Sequence, residues 1–318
     1  MIRNENFNKI ARIFIVVFLC SEMQSSSQQQ QQIVRSPAIN DDFFNDIDKA
    51  TLEFSKHQAS IRLHAKDADV FGEGHICGGA LIAPSVVLTA ARCIYNFQLQ
   101  SKRHPSEFKV VLGTLNRYQC SEHTLVYGVT HVYYPNSYEP WALRDDIAVL
   151  LLQRDVPAEH PTVQPIPLLE SGVMDAEYEK QDGVKILSQI SWSQPEVVKG
   201  NQLMTANVTQ LSLATCAKAY GQLFTNGMLC VSVSHECLQA GDLGAPLIYQ
   251  NKLLGIATGL NGCTFKNYPA LYTNVTFHTK WIQALIGDGT NQNSSIWGTL
   301  GFLLFTVFTL KTFRFGKC

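Results

Sequence analysis

The stretch HICGGALIAPSVVLTAARC, residues 75–93, decides the fold of this chain. It contains two short aliphatic runs, Ala80–Ile82 and Val86–Thr89, which a Pro-Ser pair separates. A cysteine stands near each end, at Cys77 and Cys93. Short apolar runs bounded by turn residues are typical of β-strands, so this stretch predicts two strands in a cysteine-containing segment.

Runs of the same kind continue through residues 46–288, and clusters of Gly, Pro, Asn or Ser separate most of them. Many short strands with frequent turns predict an all-β sandwich or a pair of barrels. Only the stretch Phe277–Ile286 has helical spacing, so one C-terminal helix is expected. No repeat or linker is visible, which favours one compact unit. The further runs are Ala59–Leu63, Phe108–Leu112, Ile147–Leu152, Val184–Ile190, Gln202–Leu211, Pro246–Ile248 and Leu253–Ala257.

Composition excludes several classes of protein. The 318 residues carry 25 Lys plus Arg and 26 Asp plus Glu, so the net charge is −1. Neither sign is in excess, which argues against a nucleic-acid partner. The apolar fraction of 46% is ample for a core, so the chain as a whole is not disordered. There is no CxxC pair and no His pair at ligand spacing, so no metal and no cofactor are expected.

The N-terminal residues predict secretion. Three basic residues precede the apolar run IFIVVFLC at Ile13–Cys20, which is the layout of a signal peptide. Eight residues are too few to span a bilayer, which needs about 20. We therefore expect a signal peptide over 1–24. The Ser/Gln-rich stretch 25–45 has no apolar period and is expected to be a disordered lead-in.

The C-terminal residues predict membrane attachment. After a polar spacer, 289–295, the segment 296–318 begins with a run of 15 largely apolar residues, Ile296–Leu310, and ends in basic residues. Snorkelling cations could extend it into a spanning helix, and their position fits a body that lies outside the cell. Alternatively, small residues around Gly287–Thr290 followed by a hydrophobic tail are typical of a glycolipid-anchor signal. Both alternatives stay open, as does secretion without an anchor.

An extracellular body is also indicated by three N-x-Ser/Thr sequons, at Asn207, Asn274 and Asn293. Together with the two ends of the chain, they predict a glycoprotein of the secretory pathway at the extracellular face of the plasma membrane.

Four motifs in order resemble the trypsin-like (chymotrypsin-fold) serine proteases, and the resemblance spans residues 55–286. It implies two six-stranded antiparallel β-barrels with the active site in the cleft between them. It also implies the pairings Cys77–Cys93, Cys216–Cys230 and Cys237–Cys263. With Cys20 in the signal peptide and Cys318 at the last position set aside, Cys120 has no partner, as either a buried free thiol or half of an intermolecular disulfide. The motifs are HICGGALIAPSVVLTAARC, DDIAVLLL (Asp145–Leu152), CLQAGDLGAPLI (Cys237–Ile248) and CTFKNYPALYTNV (Cys263–Val275).

The catalytic residues depart from the family pattern. Where the resemblance implies the base, in T-A-A-H-C, this chain has Arg92, and a guanidinium stays protonated near neutrality. Where it implies the nucleophile, in G-D-S-G-G-P, this chain has Leu243, which has no group to attack with. The carboxylate survives as Asp146. We expect Arg92 and Asp146 to form an ion pair in place of the imidazole–carboxylate hydrogen bond.

The substrate pocket and the activation site are also changed. His235 stands where trypsins carry the acid of the specificity pocket, and Leu260, after Thr258 and Gly259 on the substrate-binding strand, is expected to block the pocket mouth. Ala270 replaces a pocket-wall glycine. No basic residue precedes a matching I-V-G-G start, so Asp242 is expected to have another partner or the loop to stay zymogen-like. His75 is expected to be packed and hydrogen-bonded, without a catalytic role.

These substitutions predict a non-catalytic serine protease homologue that acts by binding a protein: a protease, an inhibitor, a protease substrate or a cell-surface protein. Two alternatives stay open. One is a weak hydrolase with unusual groups, and the other is a structural adhesion domain that binds through a face other than the cleft.

Overall fold

The computed structural model describes residues 47–49, 51, 55–170, 186–192, 201–232, 242–259 and 268–292. All of them belong to the structural unit that begins at Asn45. The predicted signal peptide 1–24, lead-in 25–45, spacer 289–295 (from residue 293 onward) and membrane segment 296–318 lie outside the described residues.

The quoted stretch forms two strands of a closed six-stranded barrel, in the order β2-β3-β4-β9-β8-β7, and every neighbouring pair is antiparallel. Aliphatic side chains that point inward along these strands, such as Ile61, Leu81, Leu88, Val110 and Leu150, are fully buried in the barrel core. The first short strand of the chain is β1 (Ile47–Lys49), and the barrel strands are β2 (Gln58–Leu63), β3 (His75–Ala83), β4 (Val86–Thr89), β7 (Phe108–Leu112), β8 (Leu125–Tyr133) and β9 (Ala148–Leu152). A separate two-stranded hairpin follows β4 and consists of β5 (Tyr95–Asn96) and β6 (Ser101–Lys102).

The second half forms one antiparallel sheet in the order β1-β11-β10-β13-β14-β15-β12. An isolated bridge between Gln210 and Val231 joins the end of β11 to β12, so six of these strands curl into a barrel and β1 adds to its edge. Two antiparallel barrels of six strands were predicted, and the architecture is confirmed. The strands are β10 (Ile186–Ser191), β11 (Met204–Thr209), β12 (Met228–Val231), β13 (Pro246–Tyr249), β14 (Lys252–Gly259) and β15 (Ala270–Asn274).

The helices are few. The predicted C-terminal helix is present as α4 (Val275–Gln292), which buries Val275 and Ile282 against the first core. The expectation that it is the one helical stretch is wrong, because Leu213–Tyr220 forms α3, whose first turn is capped by the Ser212 hydroxyl accepting from the Thr215 N–H. Single turns at His64–Asp67 (α1) and Ala91–Ile94 (α2) complete the set in the described ranges, besides two short 3₁₀ segments, Pro105–Glu107 and Gly221–Leu223. In that part of the chain no helix is long and apolar enough to cross a membrane.

Two disulfides hold the segments beside the cleft, Cys77–Cys93 and Cys216–Cys230, and both pairings are those that the resemblance implies. Cys237 and Cys263 lie outside the described residues. Cys120 is exposed and disulfide-bonded, so the expectations of a buried free thiol and of an intermolecular bridge are wrong. Since the four other described cysteines pair with one another, the partner of Cys120 lies outside the described residues. The expectation failed because it set aside Cys20 and Cys318 and paired Cys237 with Cys263; at least one of these assumptions does not hold.

Candidate functional site

Arg92 and Asp146 meet between the end of β4 and the start of β9. The backbone N–H of Arg92 donates to Oδ1 of Asp146 at 2.8 Å, and its Nε donates to Oδ2 at 2.5 Å. The Asp146 side chain is completely buried, while 15% of the Arg92 side chain is exposed. The ion pair expected from the sequence is therefore present, and both carboxylate oxygens are engaged by one residue.

Two threonines of the second barrel complete the surroundings of Asp146. The Thr258 hydroxyl donates to Oδ2, and the Thr273 hydroxyl donates to the backbone carbonyl of Asp146 at 2.9 Å. Both threonines are buried. Because β14 and β15 supply these donors, the carboxylate joins the two barrels, and hydrogen bonding compensates its burial.

Leu243 lies on the segment that leads into β13. Its backbone carbonyl accepts from the Gly78 N–H at 2.8 Å, and its half-buried side chain packs against the core of the first barrel. The next residue, Gly244, has φ of +79°, and a Cβ there would lie 2.2 Å from the Thr89 hydroxyl oxygen. A glycine is thus required for this close approach, which brings Leu243 next to the turn that leads into Arg92.

The hydroxyl groups around Asp146 are all engaged or un-ionised. Thr258 and Thr273 donate to Asp146, and the Thr89 hydroxyl donates to the Gly78 carbonyl at 2.7 Å. Tyr138 is 8% exposed, and burial, followed by the negative charge of Asp146, raises the pKa of its phenol well above its usual range. None of these four hydroxyls is paired with a base that could activate it.

Three of the five predicted pocket residues are described. Thr258 and Gly259 end β14, where the pairing with β15 shifts register, and Ala270 begins β15 and is 4% exposed. The structure therefore brings Thr258 to Asp146 and places Ala270 on the neighbouring strand. His235 and Leu260 lie outside the described residues, and the blocked pocket mouth stays a prediction.

His75 is packed and hydrogen-bonded, as the sequence predicts. Its Nδ1 lies 2.8 Å from the Ser60 hydroxyl oxygen, and its ring is 5.3 Å from that of Trp192 in an edge-on arrangement. Asp242 is 1% exposed. Burial, followed by the charge of Asp242, raises the pKa of Tyr272, whose hydroxyl donates to the Gln189 side chain at 2.7 Å.

The predicted glycosylation sites differ in their surroundings. Asn207 is exposed on β11. Asn274 is half-buried at the end of β15, and its side-chain oxygen accepts from the N–H and the hydroxyl of Thr276 at 3.0 and 2.8 Å, which caps α4. Asn293 lies outside the described residues.

A surface pocket of about 520 Å³ lies away from these residues. Its lining includes Lys56, Gln164, Ile248 and His57, and burial lowers the pKa of His57 to about 4. None of the predicted site residues lines this pocket. Over the described ranges, no group of three or more His, Cys, Asp or Glu residues could hold a metal ion.

Sequence reasoning missed Tyr138, which lies in the loop before Asp146 and covers the Arg92–Asp146 pair. The available signal was the density of aromatic residues in YYPNSYEPW, residues 133–141, which gives no indication of which ring turns inward.

Comparison with known proteins agrees with this architecture. A family model described as Trypsin matches residues 46–282. Trypsin eta of Drosophila erecta is 27% identical over 285 residues, which cover 87% of this chain and 98% of the relative. Vitellin-degrading protease of Bombyx mori is 29% identical over 67% of this chain and 77% of its own length. Coagulation factor XII of Sus scrofa is 32% identical over 69% of this chain, but over only 37% of its own length.

Proposed function

The chain belongs to the trypsin family of serine proteases, and from this membership we propose that it is a non-catalytic member that acts by binding a protein partner. The observation that carries the proposal is the contact between Arg92 and Asp146. In the family this carboxylate orients a histidine that takes the proton of the nucleophile. Here both oxygens of Asp146 accept from Arg92, whose guanidinium cannot take up a proton.

The second support is the absence of a hydroxyl at the position of the nucleophile. Leu243 occupies it, and the hydroxyls of Thr258 and Thr273 are held as donors to Asp146. In a comparable triad enzyme, loss of nucleophile and base lowers turnover by about 10⁶-fold. What remains is a buried, well-packed scaffold, and such a scaffold can still present loops to a partner.

The surroundings proposed for this function are extracellular. Disulfides persist in oxidising compartments, so Cys77–Cys93 and Cys216–Cys230 favour the secretory pathway. Attachment through residues 296–318, by a spanning helix or a glycolipid, would hold the domain at the cell surface. The partner class is a protease, an inhibitor or a cell-surface protein.

A second candidate is a weak serine endopeptidase, because relatives carry names such as trypsin eta and vitellin-degrading protease. Incubation of the purified protein with a broad peptide library, read by mass spectrometry, separates the two candidates. An Arg92→His, Leu243→Ser double variant runs beside it to report what the restored residues contribute. The proposal expects no cleavage by the native protein; cleavage that follows the protein through successive purification steps would make the endopeptidase the leading candidate.

A further inference from the structure

Two loops beside Arg92 expose a cluster of apolar side chains, here called the aromatic surface and consisting of Tyr95, Phe97, Leu99, Tyr134 and Trp141. Trp141 is 76% exposed, Leu99 73% and Phe97 40%. Large apolar side chains grouped at the surface typically mark a binding site, whereas isolated ones need no explanation.

The rings of this surface form a continuous series from solvent to the Arg92–Asp146 pair. Trp141 contacts Phe97 with ring centroids 5.6 Å apart, and Phe97 contacts Tyr95 at 5.2 Å. Tyr95 in turn contacts the buried Tyr138 at 5.8 Å. Each pair is edge-on, the arrangement that aromatic quadrupoles favour. The exposed rings are therefore held by neighbours that reach into the core.

Local backbone contacts also fix the loop that carries Phe97 and Leu99. The strands β5 and β6 pair Tyr95 with Lys102, and the Asn96 side-chain oxygen accepts from the N–H groups of Gln98 and Leu99 at 3.0 and 3.1 Å. A surface ordered before binding loses less conformational entropy when a partner docks.

The polar groups around the aromatic surface favour an acidic partner. Arg144 is paired with Glu139 at 3.3 Å, and Arg103 with Glu107 at 3.0 Å. Lys102, which follows the exposed loop, donates to the Val132 carbonyl at 3.0 Å and has no carboxylate partner among the described residues. The local excess is thus one positive charge.

A hydrogen-bond acceptor is also missing at the inner end of the series. The Tyr138 hydroxyl and the Arg92 Nη2 are buried without a hydrogen-bond partner in the described part of the chain. An unsatisfied buried donor costs about 1–3 kcal/mol. Because 15% of the Arg92 side chain is exposed, a carbonyl or carboxylate oxygen that approaches from this side would offset part of that cost.

We propose that the aromatic surface is the docking site for the protein partner, and that it takes an extended segment in which an apolar side chain neighbours an acidic one. The apolar side chain packs against Phe97 and Trp141, and the acid lies near Lys102. This inference rests on the proposed binding function and names the surface and the chemistry of its partner.

The probe is a library of synthetic eight-residue peptides, screened against the immobilised full-length protein. One half of the library carries Leu or Phe followed within two residues by Asp or Glu, and the other half carries Ser and Lys at those positions. We expect enrichment of the apolar-acidic half. An exposed aromatic anchor commonly contributes a large share of binding, so Trp141→Ala is expected to weaken enriched peptides about tenfold or more.

Matched variants separate the surface from general stickiness. Phe97→Ala should weaken binding as Trp141→Ala does, and Trp141→Phe should restore part of it. Lys102→Glu should remove the preference for the acidic residue. Phe277→Ala, at an aromatic residue on α4 that is 60% exposed, should bind like the native protein. Trp141, Phe97 and Phe277 are all exposed, so folding is expected to survive, and thermal unfolding checks it.

Peptides that bind the Trp141→Ala and Phe97→Ala variants as tightly as the native protein would overturn the docking site but leave the binding function standing. The absence of enrichment, or self-association of the protein that Trp141→Ala abolishes, would equally overturn a segment of another protein as the occupant. Cleavage of the peptides by the native protein would instead refute the proposed function itself.

Discussion

Arg92 holds Asp146 by two hydrogen bonds, from its backbone N–H to Oδ1 at 2.8 Å and from its Nε to Oδ2 at 2.5 Å. The two residues are 54 positions apart in the chain, so this contact ties α2 to the start of β9. A cation that satisfies a buried carboxylate in this way contributes to stability and specificity of packing, and it leaves the carboxylate unable to orient a base.

Removal of the cation should destabilise the protein. Arg92→Leu leaves Asp146 fully buried with its charge uncompensated, and breaking a buried pair from one side costs about 3–5 kcal/mol. The partial exposure of Arg92 argues for the lower end, about 3 kcal/mol. The free energy of unfolding in urea measures this. Arg144→Leu is the control: it breaks the pair with Glu139, both half exposed, and should cost about 1 kcal/mol or less. Equal losses in the two variants would contradict the role given to Asp146.

Stability should fall in mild acid because of His57. Burial lowers its pKa to about 4 from the usual 6.5 or so. The unfolded chain therefore binds a proton between about pH 6.5 and pH 4 that the folded chain does not, so this contribution is complete above pH 6.5 and is lost as pH falls through that window. The shift corresponds to about 3 kcal/mol. Burial also lowers the pKa values of His160 and His278, which act in the same direction.

The variant His57→Phe tests this assignment by urea unfolding at pH 7.5 and pH 4.5. It should lose less stability between the two pH values than the native protein does. His131→Gln, at an exposed histidine on β8, should behave like the native protein. An unchanged pH dependence in His57→Phe would assign the effect to other groups.

Glycan occupancy should differ between the two described sequons. Asn207 is exposed and is expected to carry a glycan, whereas the Asn274 side chain caps α4 through Thr276. Loss of an N-cap costs about 1 kcal/mol, so Asn274→Ala should destabilise the protein by about that amount, and Asn207→Ala should not. Peptide mapping of protein secreted from eukaryotic cells, with and without deglycosylation, reads occupancy. A glycan on Asn274 with an unmodified Asn207 would reverse this assignment.

The partner of Cys120 tests the expectations for both ends of the chain. A non-reducing peptide map should contain Cys120 in a cross-linked peptide, because Cys120 is disulfide-bonded. A link to Cys237 or Cys263 would exclude the remaining pairing implied by the family, and a link to Cys20 would exclude signal cleavage beyond that residue. A link to Cys318 would exclude both forms of C-terminal attachment, because a bridge requires the two residues on one side of the membrane. Alkylation of Cys120 as a free thiol would contradict the structure.

Much of the fold could be predicted from aliphatic runs alone. Val86–Thr89 is β4, and Phe108–Leu112 is β7, with the bounds predicted. The strand β8 was missed because Gly128 and His131 interrupt its apolar pattern; a Cβ at Gly128 would lie 2.1 Å from the Gln153 side chain, so the packing requires the glycine. The helix α3 was missed because its eight residues bury only Cys216 and Tyr220.

The candidate site was predictable only where a motif names the position. Arg92, Asp146 and Leu243 follow from residue types within recognisable motifs, and the ion pair follows from charge. The roles of Thr273 and Tyr138 do not, because each depends on which strand or loop the fold brings beside Asp146. The aromatic surface likewise joins two loops that are some 40 residues apart, a proximity that only closure of the barrel creates.

The most direct test of the central claim is labelling of the purified protein by a fluorophosphonate probe, which reacts only with an activated hydroxyl. The Arg92→His, Leu243→Ser double variant, an active trypsin and a heat-denatured sample run beside it. The account predicts no labelling of the native protein under conditions that label trypsin fully. Stoichiometric labelling of the native protein, lost on denaturation and mapped to a residue of this chain, would show an activated nucleophile and contradict the account.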